Sequence, residues 1–117
     1  MNKREVGSRY EHSAAEFLAG QGYKILDMNF RNKAGEIDII GESDGYLCFI
    51  EVKYRSGSGY GFPSEAVDTR KRRRIVRTAL GYLNYHKLSL ETPCRFDTVL
   101  ILDNEYTLIK NAFEGIL

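Results

Sequence analysis

The chain has 117 residues, of which 43% are hydrophobic and 28% charged, values that are typical of one ordinary globular domain spanning residues 1–117. Its 17 basic and 16 acidic side chains nearly balance, so net charge by itself indicates no acidic partner. No apolar run approaches the roughly 18 residues of a membrane span, and the two cysteines, Cys48 and Cys94, match no zinc spacing. We therefore expect a cytoplasmic protein with reduced thiols and no membrane partner.

Hydrophobic spacing and turn residues predict seven elements in the order α-β-β-β-α-β-β. The first helix ends at Gly20, because apolar residues recur at helical spacing before it and Gly22 follows. The other predicted elements are strands 23–29, 36–42 and 46–54, a helix from Pro63 or Ser64 to about residue 88, and strands 95–102 and 106–111. This order predicts an α/β fold in which helices flank a mixed sheet.

A two-residue hairpin is predicted at Asp44-Gly45, because both positions of a type I′ turn need positive φ and these residues adopt it readily. Taken literally, this turn sets the register of the two strands on either side of it. The facing pairs are then Ser43 with Tyr46, Ile39 with Ile50, Ile37 with Val52, Asp38 with Glu51, and Glu36 with Lys53. A slip of one residue would scramble the apolar and polar faces, so pattern and turn favour the same register.

Two carboxylates would face each other in this register, Asp38 and Glu51, with Cβ atoms roughly 4.5–5.5 Å apart. Like charges at that spacing destabilise a hairpin unless a cation lies between them. Lys53 on the same face is one candidate and a divalent cation is the other, since carboxylates, water and the Val52 carbonyl would suit Mg²⁺ or Mn²⁺. The alternative is an ion-pair ladder at a sheet edge, which explains Glu36 beside Lys53 well but the two facing carboxylates badly.

Two carboxylates, a divalent metal and a lysine together favour hydrolysis of a phosphodiester. The metal would lower the pKa of a bound water and neutralise charge on the phosphate. The lysine would orient that water or take part in proton transfer, and its ammonium would stabilise charge in the transition state. The residues alone therefore predict metal-assisted cleavage as the chemistry of the site.

An acidic residue on one strand followed by Glu-x-Lys on the next resembles the PD-(D/E)xK nuclease signature. Here these residues are Asp38 and then Glu51-Val52-Lys53. More closely, nearly the whole chain resembles the YraN-like family of uncharacterised bacterial proteins, which is related to Holliday-junction resolvases. The specific part of the match is the central block, Gly35-Glu36-Ile37-Asp38-Ile39-Ile40 and Phe49-Ile50-Glu51-Val52-Lys53-Tyr54-Arg55. Later segments such as Arg95-Phe96-Asp97 and Asn111-Ala112-Phe113 also match.

This resemblance implies a restriction-endonuclease-like core and a catalytic site formed by Glu11, Asp38, Glu51 and Lys53. It also implies action on branched or structured DNA, and a homodimer, because a junction has two symmetric cuts. Glu11 falls at the border of the apolar stripe of the first helix, from which it could reach a shared cleft; a solvated glutamate is the alternative. Tyr10 departs from the small residue that is common before this glutamate in the family, and it could pack over the cleft.

A basic run from residue 70 to residue 77 contains six cations, and phosphates would satisfy their charge. Lys71, Arg74 and Arg77 are three residues apart and are predicted to share one side of the second helix, with the neighbouring arginines pointing elsewhere. Together with Arg55 they are the predicted nucleic-acid-binding residues. The glycine-rich loop 56–63 could form a flap over a nucleic-acid backbone. The alternative is a solvated helix face with an ordinary loop.

Three functions therefore remain open from the residues and the resemblance. The leading one is a metal-dependent nuclease, since all four residues of the implied catalytic site are present. The second is a non-catalytic nucleic-acid-binding or adaptor protein that keeps the nuclease fold, because fold alone does not imply function. The third, a protein–protein module, leaves the basic helix unexplained.

Overall fold

The computed structural model describes residues 3–56 and 69–114, with side chains from residue 7 onward. Its elements are α1 Lys3–Gly20, β1 Lys24–Asn32, β2 Gly35–Ser43, β3 Tyr46–Arg55, α2 Thr69–Tyr85, β4 Cys94–Leu102 and β5 Glu105–Phe113. The predicted element order and the α/β class are confirmed. The predicted start of the second helix at Pro63 or Ser64, and most of the glycine-rich loop 56–63, lie outside the described residues.

The second helix ends three residues earlier than predicted. Lys87 adopts a left-handed φ of 56°, and the Leu88 N–H reaches back to the Leu83 carbonyl at 2.8 Å. This pattern closes a helix and usually uses glycine, so a lysine at that position left no signal in the sequence. Neither described helix combines the length and the apolar character that a membrane crossing requires.

The five strands form one sheet in the order β1-β2-β3-β4-β5. Only β3 and β4 run parallel, and α2 lies on the connection between them. Each helix covers one face of the sheet, because alternate residues of β2 and β3 join different cores. Ile39 and Ile50 pack in the cluster that contains Ala14 and Leu18 of α1, whereas their neighbours Ile40 and Phe49 pack with α2.

The hairpin register is confirmed from Ser43 opposite Tyr46 down to Ile39 opposite Ile50, where the ladder stops. Asp44 and Gly45 have φ angles of 55° and 80°, as the predicted turn requires. The pairs predicted beyond this point, Ile37 with Val52, Asp38 with Glu51 and Glu36 with Lys53, are absent from the described ladder. They are wrong because the Val52 N–H donates to the Asp38 carboxylate at 2.8 Å instead of to a backbone carbonyl.

A left-handed residue in β1, Asn29 with a φ of 56°, marks the same level of the sheet. Before it, Met28 faces Ile39 on the α1 side; after it, Phe30 faces Ile37 on the α2 side. The predicted pairs would have put Ile37 on the same face of the sheet as Ile39, and this prediction is therefore wrong. Asparagine tolerates this backbone conformation better than most residues. The change of face occurs at the level where β2 separates from β3.

The turn between β1 and β2 is fastened to α2 by the side chain of Asn32. Its amide nitrogen donates to the Thr78 carbonyl at 3.1 Å, and its amide oxygen accepts the N–H groups of Ala34 at 2.9 Å and Gly35 at 3.3 Å. Gly81 makes room for this contact, since a Cβ there would overlap the Asn32 amide nitrogen. The turn and the helix therefore hold a fixed relative position.

We expect Gly81→Ala to gain no stability in the native chain, although alanine in a helix interior is favoured over glycine by about 1 kcal/mol. The new methyl would displace the Asn32 amide and cost a hydrogen bond of about the same size. In an Asn32→Ala background the same change should stabilise the protein by about 1 kcal/mol. Urea unfolding of the four chains of this double-mutant cycle measures the coupling between residues 32 and 81. Additive effects of the two substitutions would contradict the contact between the Asn32 side chain and α2.

Candidate metal centre and nucleic-acid cleft

A cleft of about 710 Å³ opens where β2 and β3 separate, and α2 forms one of its walls. The charged residues that line its described part are the carboxylates Glu36, Asp38, Glu51 and Asp97 and the cations Arg31, Lys71 and Arg74. The sequence-predicted residues Val52, Lys71 and Arg74 thus line the same cleft as the two predicted carboxylates. Opposite charges meet in this cleft, which is the arrangement that a metal ion with a phosphate ligand requires.

Asp38 occupies the place that a backbone acceptor of β2 would occupy in the ladder. It accepts the Val52 N–H at 2.8 Å. Because the N–H and C=O of one extended residue point toward the same neighbouring strand, the Val52 carbonyl faces the side of Asp38 as well. Glu11 of α1 and Glu36 of β2 lie beside Asp38. Oxygens of Glu11, Glu36 and Asp38 all lie within 4.8 Å of one another.

The Asp38 carboxyl is held in surroundings that disfavour its charge. The pKa of Asp38 is raised to about 7, first by burial and then by the nearby carboxylates Glu11 and Glu51, against the lowering effect of the Val52 N–H. A carboxylate repelled by two others is an unstable arrangement without a cation. The same arrangement becomes favourable when a cation binds between the carboxylates.

Asp97 shows that this fold can bury a carboxylate with full compensation. Only 1% of Asp97 is exposed, and its oxygens accept the Tyr23 hydroxyl at 2.7 Å, the Arg95 guanidinium at 2.9 Å and the Asn111 N–H at 2.9 Å. Among the described residues Asp38 has the Val52 N–H as donor and carboxylates as its charged neighbours instead. The two aspartates therefore have different roles. Asp97 links strands through hydrogen bonds, whereas the Asp38 carboxylate would be stabilised by a nearby cation.

Among the described residues, only one of the two carboxylate oxygens of Glu51 has a partner. One carboxylate oxygen forms an ion pair with the Lys71 ammonium of α2, and the other, Oε2, is buried with no hydrogen-bond partner among the described residues. An unpartnered buried carboxylate oxygen typically costs a few kcal/mol. Such an atom beside Asp38 fits a divalent cation, whose preferred ligands are carboxylate oxygens.

Lys53 lies one residue beyond Val52 and is 4% exposed, so the structure buries the fourth predicted residue instead of leaving it in a surface ladder. Burial lowers its pKa, and the cations Lys71 and Arg55 lower it further, while Glu51 opposes them. The ammonium therefore releases a proton more readily than an exposed lysine does. It is absent from the described lining of the cleft.

Tyr10 does not close the cleft. Its ring stacks on Tyr54 with a centroid separation of 3.8 Å and an interplanar angle of 18°. This stack takes the large side chain to the neighbouring strand, while Glu11 reaches the Asp38 group. Tyr10 is therefore compatible with the implied four-residue site.

Glu36 and Asn29 contact the predicted carboxylates although neither was predicted as part of the site. Glu36 forms an ion pair with Arg31 at 3.4 Å instead of with Lys53, and its carboxylate joins Glu11 and Asp38. Its spacing of two residues from Asp38 on one strand was the available signal. Asn29 lies between the Glu11 and Glu36 carboxylates, and with its amide nitrogen turned toward them it donates at 2.9 and 3.2 Å respectively.

The basic residues of α2 divide between two surfaces. Lys71 lines the cleft, Arg77 lines a separate basic hollow, and Arg74 lines both. The prediction that the neighbouring arginines point elsewhere is wrong for Arg73, which lines the hollow with Arg77. Arg55 donates to the Tyr54 carbonyl at 2.8 Å and is absent from the described lining of both.

Comparison with other proteins identifies the family to which these residues belong. A model described as the uncharacterised protein family UPF0102 matches residues 10–101. A UPF0102 protein of Lachnoclostridium phytofermentans is 51% identical over 98% of each chain. Similar proteins of Fusobacterium nucleatum, at 44% identity over 98% of this chain and 96% of the relative, and of Persephonella marina, at 42% over 92% of each, carry the same family description.

We expect Asp38→Asn to stabilise the protein at pH 8 by about 2–4 kcal/mol in the presence of a chelator. The folded-state pKa of Asp38, about 7, lies above its ordinary value of 3.8, so the native protein loses stability as the pH rises from 5 to 8. The Asn variant escapes this loss, and the difference should shrink toward pH 5. Urea unfolding at both pH values measures it.

Asp44→Asn is the matched control for this experiment. Lys110 and Arg95 lower the pKa of Asp44, so removing its charge should weaken the protein at pH 8 instead of stabilising it. Asparagine also suits the left-handed φ of 55° at this turn. If Asp38→Asn and the native protein have equal free energies of unfolding at both pH values, the Asp38 carboxylate does not destabilise the folded state and the prediction is wrong.

Proposed function

We propose that this chain, which belongs to the uncharacterised protein family UPF0102, is a nuclease that uses a divalent cation to hydrolyse phosphodiester bonds of nucleic acid. The proposal depends most on the uncompensated carboxylates of the cleft. Asp38 is buried beside two other carboxylates, and Glu51 Oε2 has no partner among the described residues. Cations on the opposite wall add a place for the charge of a phosphate.

Mg²⁺ or Mn²⁺ would be held by Asp38, Glu51 and the Val52 carbonyl, with Glu11 completing the carboxylate group from α1. This donor set is entirely oxygen, which suits a hard cation and disfavours zinc in a structural role. When bound, such a cation supplies a water of lowered pKa and neutralises charge on the phosphate. Glu36 lies on the exposed side of the carboxylate group, where it can bind water around the site.

Lys53 and Lys71 have different roles in this proposal. The lowered pKa of Lys53 lets its Nζ release a proton more readily than an exposed lysine does, and its charge would stabilise negative charge that develops on the scissile phosphate. Lys71 is a counter-ion for Glu51 in the structure. A phosphate in the cleft would draw Lys71 toward itself, with Arg74 and Arg55 as further contacts to the backbone of the substrate.

Branched or otherwise structured DNA is the finer proposal for the substrate, and its support is the resemblance to junction resolvases. A homodimer belongs to the same proposal, since paired cuts in a junction need two symmetric sites. The homodimer stays a prediction, which analytical ultracentrifugation of the full chain tests directly.

A nucleic-acid-binding or adaptor protein without turnover is the second candidate function. The ion pair between Lys71 and Glu51 favours it, because an internal cation already neutralises part of the carboxylate group. In this case the cleft would bind phosphates through Arg74 without recruiting a metal. The two candidates differ in a property that is measured without any substrate: the affinity for Mg²⁺ and Mn²⁺.

Calorimetry should show Mn²⁺ and Mg²⁺ binding with millimolar or tighter affinity, and this binding should disappear in Asp38→Ala/Glu51→Ala. Glu16→Ala/Glu91→Ala is the matched control, since it removes two exposed carboxylates outside the cleft and should leave binding unchanged. Equal losses in the two double variants would indicate unspecific charge binding. Retained affinity in Asp38→Ala/Glu51→Ala would place the metal elsewhere.

Lys53→Met should keep Mn²⁺ binding but slow cleavage of a labelled four-way junction at least 100-fold, which is the size of a general acid–base contribution. Methionine fills the same buried space without the charge, and Lys87→Met, on an exposed lysine, is the control. Native-rate cleavage by Lys53→Met would refute the role of this lysine. Junction binding by the native chain with no cleavage in either metal would favour the second candidate.

A further inference from the structure

A second depression in the surface, the basic hollow, adjoins the cleft. It measures about 570 Å³, and its described lining contains five cations and no carboxylate: Lys33, Arg70, Arg73, Arg74 and Arg77, with Ala34 and Thr69. Four of the cations come from α2, whereas Lys33 comes from the turn between β1 and β2. Charges so concentrated repel one another, and an anionic ligand would relieve that repulsion.

Two features of the fold hold this hollow in shape. The Asn32 side chain fastens the turn that carries Lys33 to the Thr78 carbonyl of α2. At Gly35, a Cβ would lie 2.9 Å from Cγ of Arg74, so glycine lets the arginine stem cross the start of β2. The turn and the helix therefore present their cations together as one preformed surface.

Arg74 joins the hollow to the cleft, because it lines both. Along α2, the distance from Lys71 in the cleft to Arg77 in the hollow is about 9 Å at 1.5 Å per residue. Phosphates of one DNA strand follow each other at roughly 3.4 Å along the helix axis. A strand that enters the cleft would therefore reach the hollow within a few phosphates.

We infer that the basic hollow is a second phosphate-binding site, which holds the sugar-phosphate backbone of the nucleic acid a few nucleotides from the bond in the cleft. The identity of this ligand rests on the proposed function. The inference assigns to Lys33, Arg70 and Arg73 a contact that the spacing of the helix alone did not indicate. Arginine suits it, since a guanidinium binds phosphate through two parallel hydrogen bonds.

Fluorescence anisotropy of a labelled 20-base-pair DNA duplex, in EDTA over a range of salt concentrations, tests the hollow. Lys33→Gln/Arg73→Gln should bind at least tenfold more weakly near 100 mM salt. It should also lower the slope of log K against log salt by about 2, since each phosphate contact contributes roughly 0.9. Lys24→Gln/Lys87→Gln removes two exposed cations outside the hollow and should change the affinity less than twofold.

Equal affinities and slopes for the two double variants would overturn the inference, as would an absence of DNA binding by the native chain. Phosphatidylserine vesicles test the other source of phosphate: if Lys33→Gln/Arg73→Gln loses vesicle binding but keeps DNA binding, the ligand is a membrane surface and the inference is wrong. EDTA separates this test from metal chemistry. If the hollow binds DNA but the native chain does not cleave it in Mn²⁺, only the proposed nuclease activity is refuted. If Lys33→Gln/Arg73→Gln cleaves DNA with the KM of the native chain, only the second phosphate-binding site is refuted.

Discussion

The hydrogen bond from the Val52 N–H to the Asp38 carboxylate determines the rest of this site. It replaces the next rung of the β2–β3 ladder, which otherwise continues without interruption from the turn to Ile39 and Ile50. Beyond that level β3 keeps its other neighbour, since its parallel pairing with β4 extends to Arg55. The two strands of the hairpin therefore part while the sheet stays intact, and the cleft opens in the gap.

The same bond makes the site a source of instability that a cation can relieve. In the structure Asp38 is buried and Glu51 Oε2 has no partner among the described residues. Groups that weaken the folded state in this way concentrate at functional sites. A ligand that binds only the folded chain stabilises it by an amount that grows with the logarithm of its free concentration divided by its dissociation constant.

The sequence was sufficient for the features that local rules determine, and insufficient where a side chain competes with the backbone. Alternating apolar residues and the Asp44-Gly45 turn agree on one register, so the hairpin was predictable down to Ile39. Nothing in that pattern shows that the Asp38 carboxylate would accept a backbone N–H, or that Asn29 would take a left-handed φ inside a strand. The distribution of the α2 cations between the cleft and the hollow could not be predicted for another reason. Residues 71, 74 and 77 and residues 70, 73 and 77 are equally good helical faces. The position of the turn that carries Lys33 chooses between them.

A formal net charge of +1 conceals a strong separation of charge along α2. On the side of the cleft Lys71 contacts Glu51, and Arg74 lines both depressions. Arg70, Arg73 and Arg77 line a hollow whose described lining contains no acid. Under the proposed function this arrangement couples the two ligands. A phosphate that attracts Lys71 frees a Glu51 oxygen for a cation, and a cation at Glu51 frees Lys71 for a phosphate. Each ligand then removes a competitor of the other, so metal and nucleic acid bind with positive cooperativity that must be equal in both directions.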